Sequence, residues 1–368
     1  MTKKPALRVL HICKVFLPVK GGVQKVVHSL TTLLNDYTHS VITTGEDGAI
    51  ANEEVDHAQI FRCHSYGQIA SMPLAPSLVS MAFRQTRQSD LIAVHYPFPL
   101  AELGLLFSPL NTPIVVHWHS AIIAQKKLKW LVAPLTWIIL FRARAIVVTS
   151  QRMLTQSFFL RCFRRKIEFI PYGLKPAPEN TNTTKVTNYF VIVGRHVSYK
   201  GIDIAIRAIE GTQLQLLVAG DGPLYEKHKK LANDLGVMGQ IQFEPHATDD
   251  EIIGFLQQSI ALVVSSVMEN EAFALVQLEA MRLAKAVINT ELQSSVPWVA
   301  RHQQEALTVP PSDSKSLTNA MQLLVSDPEL AQRLGNNGLN RFEAHFSSTV
   351  FATEIDKLYA RLINASQQ

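Results

Sequence analysis

Ser266-Val267-Met268-Glu269-Asn270-Glu271-Ala272-Phe273-Ala274-Leu275-Val276-Gln277-Leu278-Glu279-Ala280-Met281 is the stretch around which the chain can be read. The residues just before it, Ala261, Leu262, Val263 and Val264, form a short apolar run of the kind that makes a buried strand. Glu271 then falls at a loop-to-helix junction, and Glu279 lies within the helix predicted over residues 273–283. Seven residues separate the two glutamates. At about 1.5 Å of rise per residue their carboxylates are expected roughly 12 Å apart along the helix axis. That span is comparable to a nucleotide-sugar diphosphate, so one carboxylate can meet a sugar and the other a ribose. The alternative is two solvated glutamates favoured by the helix dipole.

Working outward, the same strand-then-helix grammar repeats along the chain and predicts an α/β protein with parallel sheets. In the first half, strands are expected at residues 7–13, 40–43, 91–94, 114–117, 145–149 and 167–170, with a helix over 23–34. In the second half they are expected at 189–193, 214–219, 241–243, 261–264, 286–289 and 306–309. Helices there are predicted near 201–210, 224–235, 250–257, 273–283 and 314–325, and then from 328 to 363 with a break near Ser347. Residues 173–188 are rich in Pro, Asn and Thr and lack apolar periodicity, which marks them as a linker. The expected layout is a doubly wound domain over 1–172, the linker, a second doubly wound domain over 189–346, and a terminal helical segment over 347–368. Two such domains would face each other across a cleft, with ligands at the carboxyl ends of both sheets.

Composition supports this and excludes several classes. The chain has 368 residues, 47% hydrophobic and 18% charged, which suits two packed domains and not a disordered chain. Cys13, Cys63 and Cys162 form no disulfide framework or metal spacing, which argues for a reducing compartment. Lys3, Lys4, Arg8 and Lys14 interrupt any signal-peptide core, and the apolar run near Trp130 to Phe141 is shorter than the ~20 residues a membrane span needs. A cytoplasmic protein is therefore expected. The net charge of +5 is unevenly placed: residues 101–170 hold ten Lys/Arg against only Glu102 and Glu168, a surplus of eight. Trp130, Trp137, Phe141, Phe158, Phe159 and Phe163 interleave with those charges. Such a mixture suits an anionic membrane surface, or else a solvated basic face over core aromatics. No nucleic-acid-binding module is present.

Four groups of residues can carry chemistry. Glu271 and Glu279 are the first. The second is Gly194-Arg195-His196-Val197-Ser198-Tyr199-Lys200-Gly201, which follows a strand and opens a helix. Two cations there make an anion site able to stabilise a departing diphosphate, or else an exposed basic turn. The third is Gly21-Gly22 after the first strand, where backbone N–H groups can approach a phosphate or simply make a turn. The fourth is His117-Trp118-His119-Ser120 at a strand end, at a ligand rim or as a satisfied histidine pair. Their i, i+2 spacing without a nearby carboxylate or cysteine gives no metal site. Tyr96-Pro97-Phe98-Pro99 should form a rigid loop on the same rim. Gly220-Asp221-Gly222-Pro223 reads as a strand-to-helix turn and not as a dinucleotide fingerprint.

Taken in order, these pieces resemble the retaining glycosyltransferases of family four, which have the GT-B fold. The resemblance rests on Gly21-Gly22, His119-Ser120, Gly194-Arg195 with Lys200-Gly201, Gly220-Asp221-Gly222-Pro223, and Glu271 with Glu279-Ala280-Met281, and covers nearly the whole chain. His119-Ser120 with Gln125-Lys126, Tyr96-Pro97-Phe98-Pro99 and Val296-Pro297-Trp298-Val299 resemble the mannosyl- or rhamnosyltransferases of O-antigen and exopolysaccharide assembly. The resemblance implies that Arg195 and Lys200 neutralise the leaving diphosphate, that Glu279 binds the ribose, and that Glu271 meets the sugar hydroxyls. It also implies that His119 holds the donor sugar and that Gly22 gives an N–H to the phosphate or shapes the acceptor side. Ala272, Phe273, Ala274 and Leu275 complete the implied donor loop. No metal or other cofactor is implied, and the last helix would cross back to the N-terminal domain. The chain departs from the family where Glu-Gly-Phe-Gly becomes Glu271-Ala272-Phe273-Ala274, where Gly-Lys-Pro-Val becomes Ala284-Lys285-Ala286-Val287, and at Ala121, Ser295 and Ala306.

The resulting expectation is transfer of a hexose, mannose from GDP-mannose, to a lipid-linked oligosaccharide for surface polysaccharide. The enzyme would be cytoplasmic and peripheral at the inner face of the plasma membrane, with no nucleic-acid partner. The open alternatives are a UDP-sugar or GDP-deoxyhexose donor, a sugar-nucleotide-binding subunit without turnover, and a nucleotide-sugar epimerase.

Overall fold

The computed structural model describes residues 6–19, 21–45, 51–69, 72–120, 126–178 and 188–367. Lys3, Lys4, Ala121, Gln125 and most of the expected linker lie outside the described residues. The chain divides into two compact units: Met1–Tyr172 with Ser348–Gln368, and Gly173–Ser347.

Unit 1 runs β1 (Leu7–Ile12), α1 (Gly22–Leu33), β2 (Tyr37–Gly45), β3 (Ala51–Val55), β4 (Ala58–His64), the short pair β5 (Gln68–Ile69) and β6 (Met72–Pro73), and α2 (Ser77–Gln85). It continues with β7 (Leu91–Tyr96), α3 (Pro99–Leu105), β8 (Ile114–Trp118), α4 (Lys126–Arg142), β9 (Ala145–Val148), α5 (Arg152–Gln156), α6 (Phe158–Cys162) and β10 (Ile167–Phe169). The main sheet has the order β10-β9-β8-β7-β1-β2-β4-β3. All its pairings are parallel except β3 with β4. β7, β8 and β9 are buried along their whole length, as continuous apolar strands of a two-sided parallel sheet must be. The β3–β4 hairpin was not expected from sequence. Its turn places Asp56 and His57 at φ 44° and 69°, a left-handed pair built without the glycine that normally announces it.

Unit 2 begins with β11 (Tyr189–Val193), α7 (Ile202–Ala208), β12 (Gln215–Ala219), α8 (Tyr225–Asp234), β13 (Ile241–Glu244), α9 (Asp249–Gln258) and β14 (Ala261–Val263). It ends with α10 (Val276–Met281), β15 (Ala286–Thr290), α11 (Val296–Val299), β16 (Ala306–Val309), α12 (Ser314–Ser326) and α13 (Pro328–His345). Its all-parallel sheet has the order β13-β12-β11-β14-β15-β16. The order reverses between β11 and β14, and the crevice at such a switch point is where open α/β sheets bind ligands. The final helix α14 (Ser348–Gln367) belongs to unit 1. There Tyr359 is fully buried and Asp356 accepts a 2.7 Å hydrogen bond from the Tyr37 hydroxyl. Among the described residues no helix is long and apolar enough to cross a membrane.

One local expectation is corrected. α10 starts at Val276 and not at Phe273, because Ala274 takes a left-handed conformation (φ 57°) that a helix cannot contain. Only the last part of the segment between Glu271 and Glu279 is helical, so the spacing inferred from helical rise does not apply.

Candidate active site

The unit 2 site is assembled at the switch point by three interlocked turns. The first leaves β11 through Gly194 and Arg195, makes a 3-10 turn over Ser198–Lys200 and enters α7 through Gly201. Gly201 has φ 60°, and a Cβ there would stand 2.1 Å from the Ser265 carbonyl oxygen. The second turn, after β12, contains Gly220, whose Cβ would stand 2.4 Å from the Gly194 carbonyl oxygen. The third leaves β14. Ser265 Oγ donates to the Lys200 carbonyl at 3.0 Å, and Val267 N donates to the Tyr199 carbonyl at 2.8 Å. Glycine is thus fixed at two positions by backbone packed against backbone.

This packing brings Lys200 and Glu271 together. Lys200 Nζ lies 2.5 Å from Glu271 Oε2, and Ser266 Oγ donates to the same oxygen at 3.0 Å. Glu271 is 8% exposed and its Oε1 has no hydrogen-bond partner among the described residues. Burial works against the Lys200 ammonium, but the adjoining carboxylate outweighs it and the Lys200 pKa is raised. The Arg195 side chain is exposed and makes no ion pair or hydrogen bond among the described residues, so its guanidinium is available to an anion. Glu279 is buried in the first turn of α10.

The loop between the glutamates is held from below. Ala272 O accepts from Ser295 N at 2.9 Å. Gln277 Nε2 donates to the Phe273 and Val296 carbonyls, and Asn289 Nδ2 donates to Gln277 Oε1 at 2.9 Å. The Phe273 ring meets Phe346 edge-on at 6.2 Å, and Leu275 is the N-cap of α10. Ser266, Gln277 and Asn289 were not singled out from sequence. Nothing in a lone buried serine or amide marks its partner, and only the fold brings Ser266 to Glu271 and Thr290, and Asn289 to Gln277.

In unit 1, Gly22 opens the twelve-residue helix α1, preceded by Gly21 in an extended conformation. His119 is placed differently from expectation. It ends a row of buried rings that crosses four parallel strands. The Leu34 carbonyl can only accept, so His39 donates to it from Nε2 at 3.0 Å. With neutral rings, every later bond then has a fixed direction. His39 Nδ1 accepts from His11 Nε2 at 3.1 Å, and His11 Nδ1 from His95 Nε2 at 3.3 Å. His95 Nδ1 accepts from His119 Nε2 at 2.9 Å, and His119 Nδ1 accepts from the Tyr172 hydroxyl at 2.5 Å. His117 stacks on His95 and meets the Tyr359 hydroxyl at 2.8 Å through Nε2. Burial pushes His117 and His119 down to about 3, and lowers His11, His39 and His95 as well. Both ring nitrogens of His119 are therefore occupied, and neither is left to hold a sugar. The sequence did carry a trace of this row, since β1, β7 and β8 each place one histidine near the end of an apolar strand.

Among the described residues no three His, Cys, Asp or Glu side chains converge as metal ligands. The chemistry available in unit 2 is a free guanidinium, an ammonium shared with a buried carboxylate, and one carboxylate oxygen open to a hydroxyl donor.

Residues 20–177 match the family described as Glycosyltransferase Family 4, and residues 176–341 match Glycosyl transferases group 1. O-antigen chain mannosyltransferase C of Escherichia coli is 28% identical over 374 residues, covering 98% of this chain and 100% of the relative. D-rhamnosyltransferase WbpZ of Pseudomonas aeruginosa is 28% identical over 354 residues, covering 93% of each chain. Among solved structures, sucrose-phosphate synthase from Thermosynechococcus elongatus superposes with a TM-score of 0.81 at 22% identity, covering 98% of this chain and 100% of that one. The fold is GT-B, as expected from sequence.

Proposed function

The chain belongs to the family-four, group 1 glycosyltransferases, and on that premise we propose that it transfers mannose from GDP-mannose, with retention, to a lipid-linked oligosaccharide in surface-polysaccharide assembly. The observation that carries this reading is the cluster of Arg195, Lys200 and Glu271 at the switch point of unit 2. The transferred sugar and the pathway are supported by the O-antigen mannosyltransferase and rhamnosyltransferase relatives.

Arg195 and Lys200 bind the diphosphate and stabilise its charge as it departs, a role that makes a divalent metal unnecessary. Glu279 holds the ribose, and Glu271 accepts from a sugar hydroxyl through Oε1. The bond from C1 to the diphosphate oxygen breaks while a bond to the acceptor oxygen forms on the same face. The acceptor proton passes to the departing phosphate. Gly22, at the exposed start of α1, lies on the acceptor-side unit.

The acceptor's lipid implies work at a membrane surface. α4 supports this: Trp137, Ile138 and Phe141 are exposed on it, Phe141 to 75%, and Phe158 beside Trp137 is exposed to 57%. No acid lies between Glu102 and Glu168. A basic surface with exposed aromatics suits anionic lipid. Binding to anionic vesicles that weakens with salt is expected, and its absence at low salt would remove the membrane from the proposal.

A sugar-nucleotide-binding subunit without turnover is the second reading. It is favoured by Ala274, which puts a methyl group on a left-handed loop position that is glycine in the family pattern. A thermal-shift screen against GDP, UDP, ADP and their sugar conjugates, followed by a transfer assay, separates these readings. A ligand at 100 times its dissociation constant adds about 2.7 kcal/mol. A selective shift with GDP-mannose is expected; a selective UDP-sugar shift overturns the donor, and binding without transfer to any acceptor favours the second reading.

A further inference from the structure

We propose that Ser266 is a positioning residue for Glu271, required at the moment Lys200 leaves that carboxylate for the donor diphosphate. The inference rests on the reading of Lys200 as a diphosphate ligand. Ser266 is fully buried, and its hydroxyl shares Glu271 Oε2 with the Lys200 ammonium, at 3.0 Å and 2.5 Å. Ser266 is itself fixed, because Thr290 Oγ1 donates to its carbonyl at 2.6 Å. The chain Thr290, Ser266, Glu271, Lys200 thus ties the carboxyl end of β15 to the switch point between β11 and β14.

In the unliganded enzyme Lys200 compensates the Glu271 charge, and the serine hydroxyl is a second partner on an oxygen already satisfied. A diphosphate offers more negative charge than one carboxylate and draws the ammonium away. Oε2 then loses its ion-pair partner while still largely shielded from water, and leaving such a group without a partner is costly. Ser266 is the hydrogen-bond donor that stays. It also fixes which oxygen faces inward, so that Oε1 remains the one presented to the sugar. Ser266 therefore contributes little to the free protein and much to the donor-bound one.

The test compares Ser266→Ala, Lys200→Met and the unaltered protein by calorimetric titration with GDP and with UDP, alongside thermal unfolding without nucleotide. Ser266→Ala should unfold at the unaltered midpoint yet bind the preferred nucleotide about tenfold more weakly, the effect of one hydrogen bond to a charged group. Ser266→Cys keeps the volume with a poorer donor and should fall between, which guards against misfolding of the alanine variant. A lowered midpoint with unaltered affinity means that Ser266 is only structural and overturns the proposal. Weak binding by Lys200→Met with unaltered binding by Ser266→Ala overturns the role of Ser266 alone. Full-strength binding by Lys200→Met, or no binding of either nucleotide by the unaltered protein, overturns the reading of Lys200 and this inference with it.

Discussion

Acidification should unfold unit 1 through its histidine row, and the size of the effect follows from the burial of five rings. His11, His39, His95, His117 and His119 are all at most 7% exposed. Burial lowers the pKa of each, reaching about 3 at His117 and His119. In the unfolded chain each titrates near 6.5. The folded pKa is the lower one, so the unfolded state binds more protons below about pH 6.5, and stability falls as pH drops from there toward 3. At pH 5.5 each ring held well below its ordinary value costs about 1.4 kcal/mol, and the four of them, His11, His95, His117 and His119, cost about 6 kcal/mol, similar to the entire stability of an ordinary domain. At pH 6 unfolding of unit 1 should take up about 3 protons from these four rings. Urea unfolding followed at pH 7.5, 6.5 and 5.5, with hydrogen exchange at β1, β7 and β8 to report on unit 1, measures this directly. A pH slope of one proton or less would refute the reasoning, because it would mean that the rings charge in place or that the row is already open to water.

Three further outcomes follow from particular contacts. Ala284 sits at φ 53° in a Schellman motif closed by Lys285 N to Ala280 O and Ala284 N to Met281 O, so Ala284→Gly should relieve left-handed strain by about 1 kcal/mol and raise the melting midpoint of unit 2 by about 2–4 °C in calorimetry. Gly335→Ala on α13 would place a Cβ 2.0 Å from the Ala284 carbonyl oxygen, and should destabilise unit 2 by about 3 kcal/mol or more in the same scan. Glu271→Gln keeps the shape of the side chain but releases Lys200 from its ion pair; it should bind nucleoside diphosphate at least as tightly as the unaltered protein while transfer falls at least a hundredfold, measured by titration and by product formation.

The division between what was legible and what was not runs along the range of the interactions. The parallel strands could be read because each is a short apolar run with its own local signal; β11 and β16 begin and end where the sequence places them. The glycines at 201 and 220 could be read as turns, though not the reason for them, which is a carbonyl from a distant loop. The β3–β4 hairpin escaped because its left-handed turn is made by Asp56 and His57 instead of glycine. The start of α10 was misplaced because Ala274 bends the chain against its own helix preference.

The sequence by itself determined the α/β class and the alternation of strand and helix in unit 2, and it displays Arg195, Lys200, Glu271 and Glu279 as candidates, since charge and periodicity are properties of the chain alone. Only the tertiary structure decided that Lys200 and Glu271 are partners and that Ser266 shares their oxygen. It likewise decided that His119 is bound at both nitrogens by residues from other parts of the chain. Hydrogen bonds act over about 3 Å whatever the separation along the sequence, so which groups meet depends on the register of β14 against β15 and of β7 against β8, which local pattern does not encode.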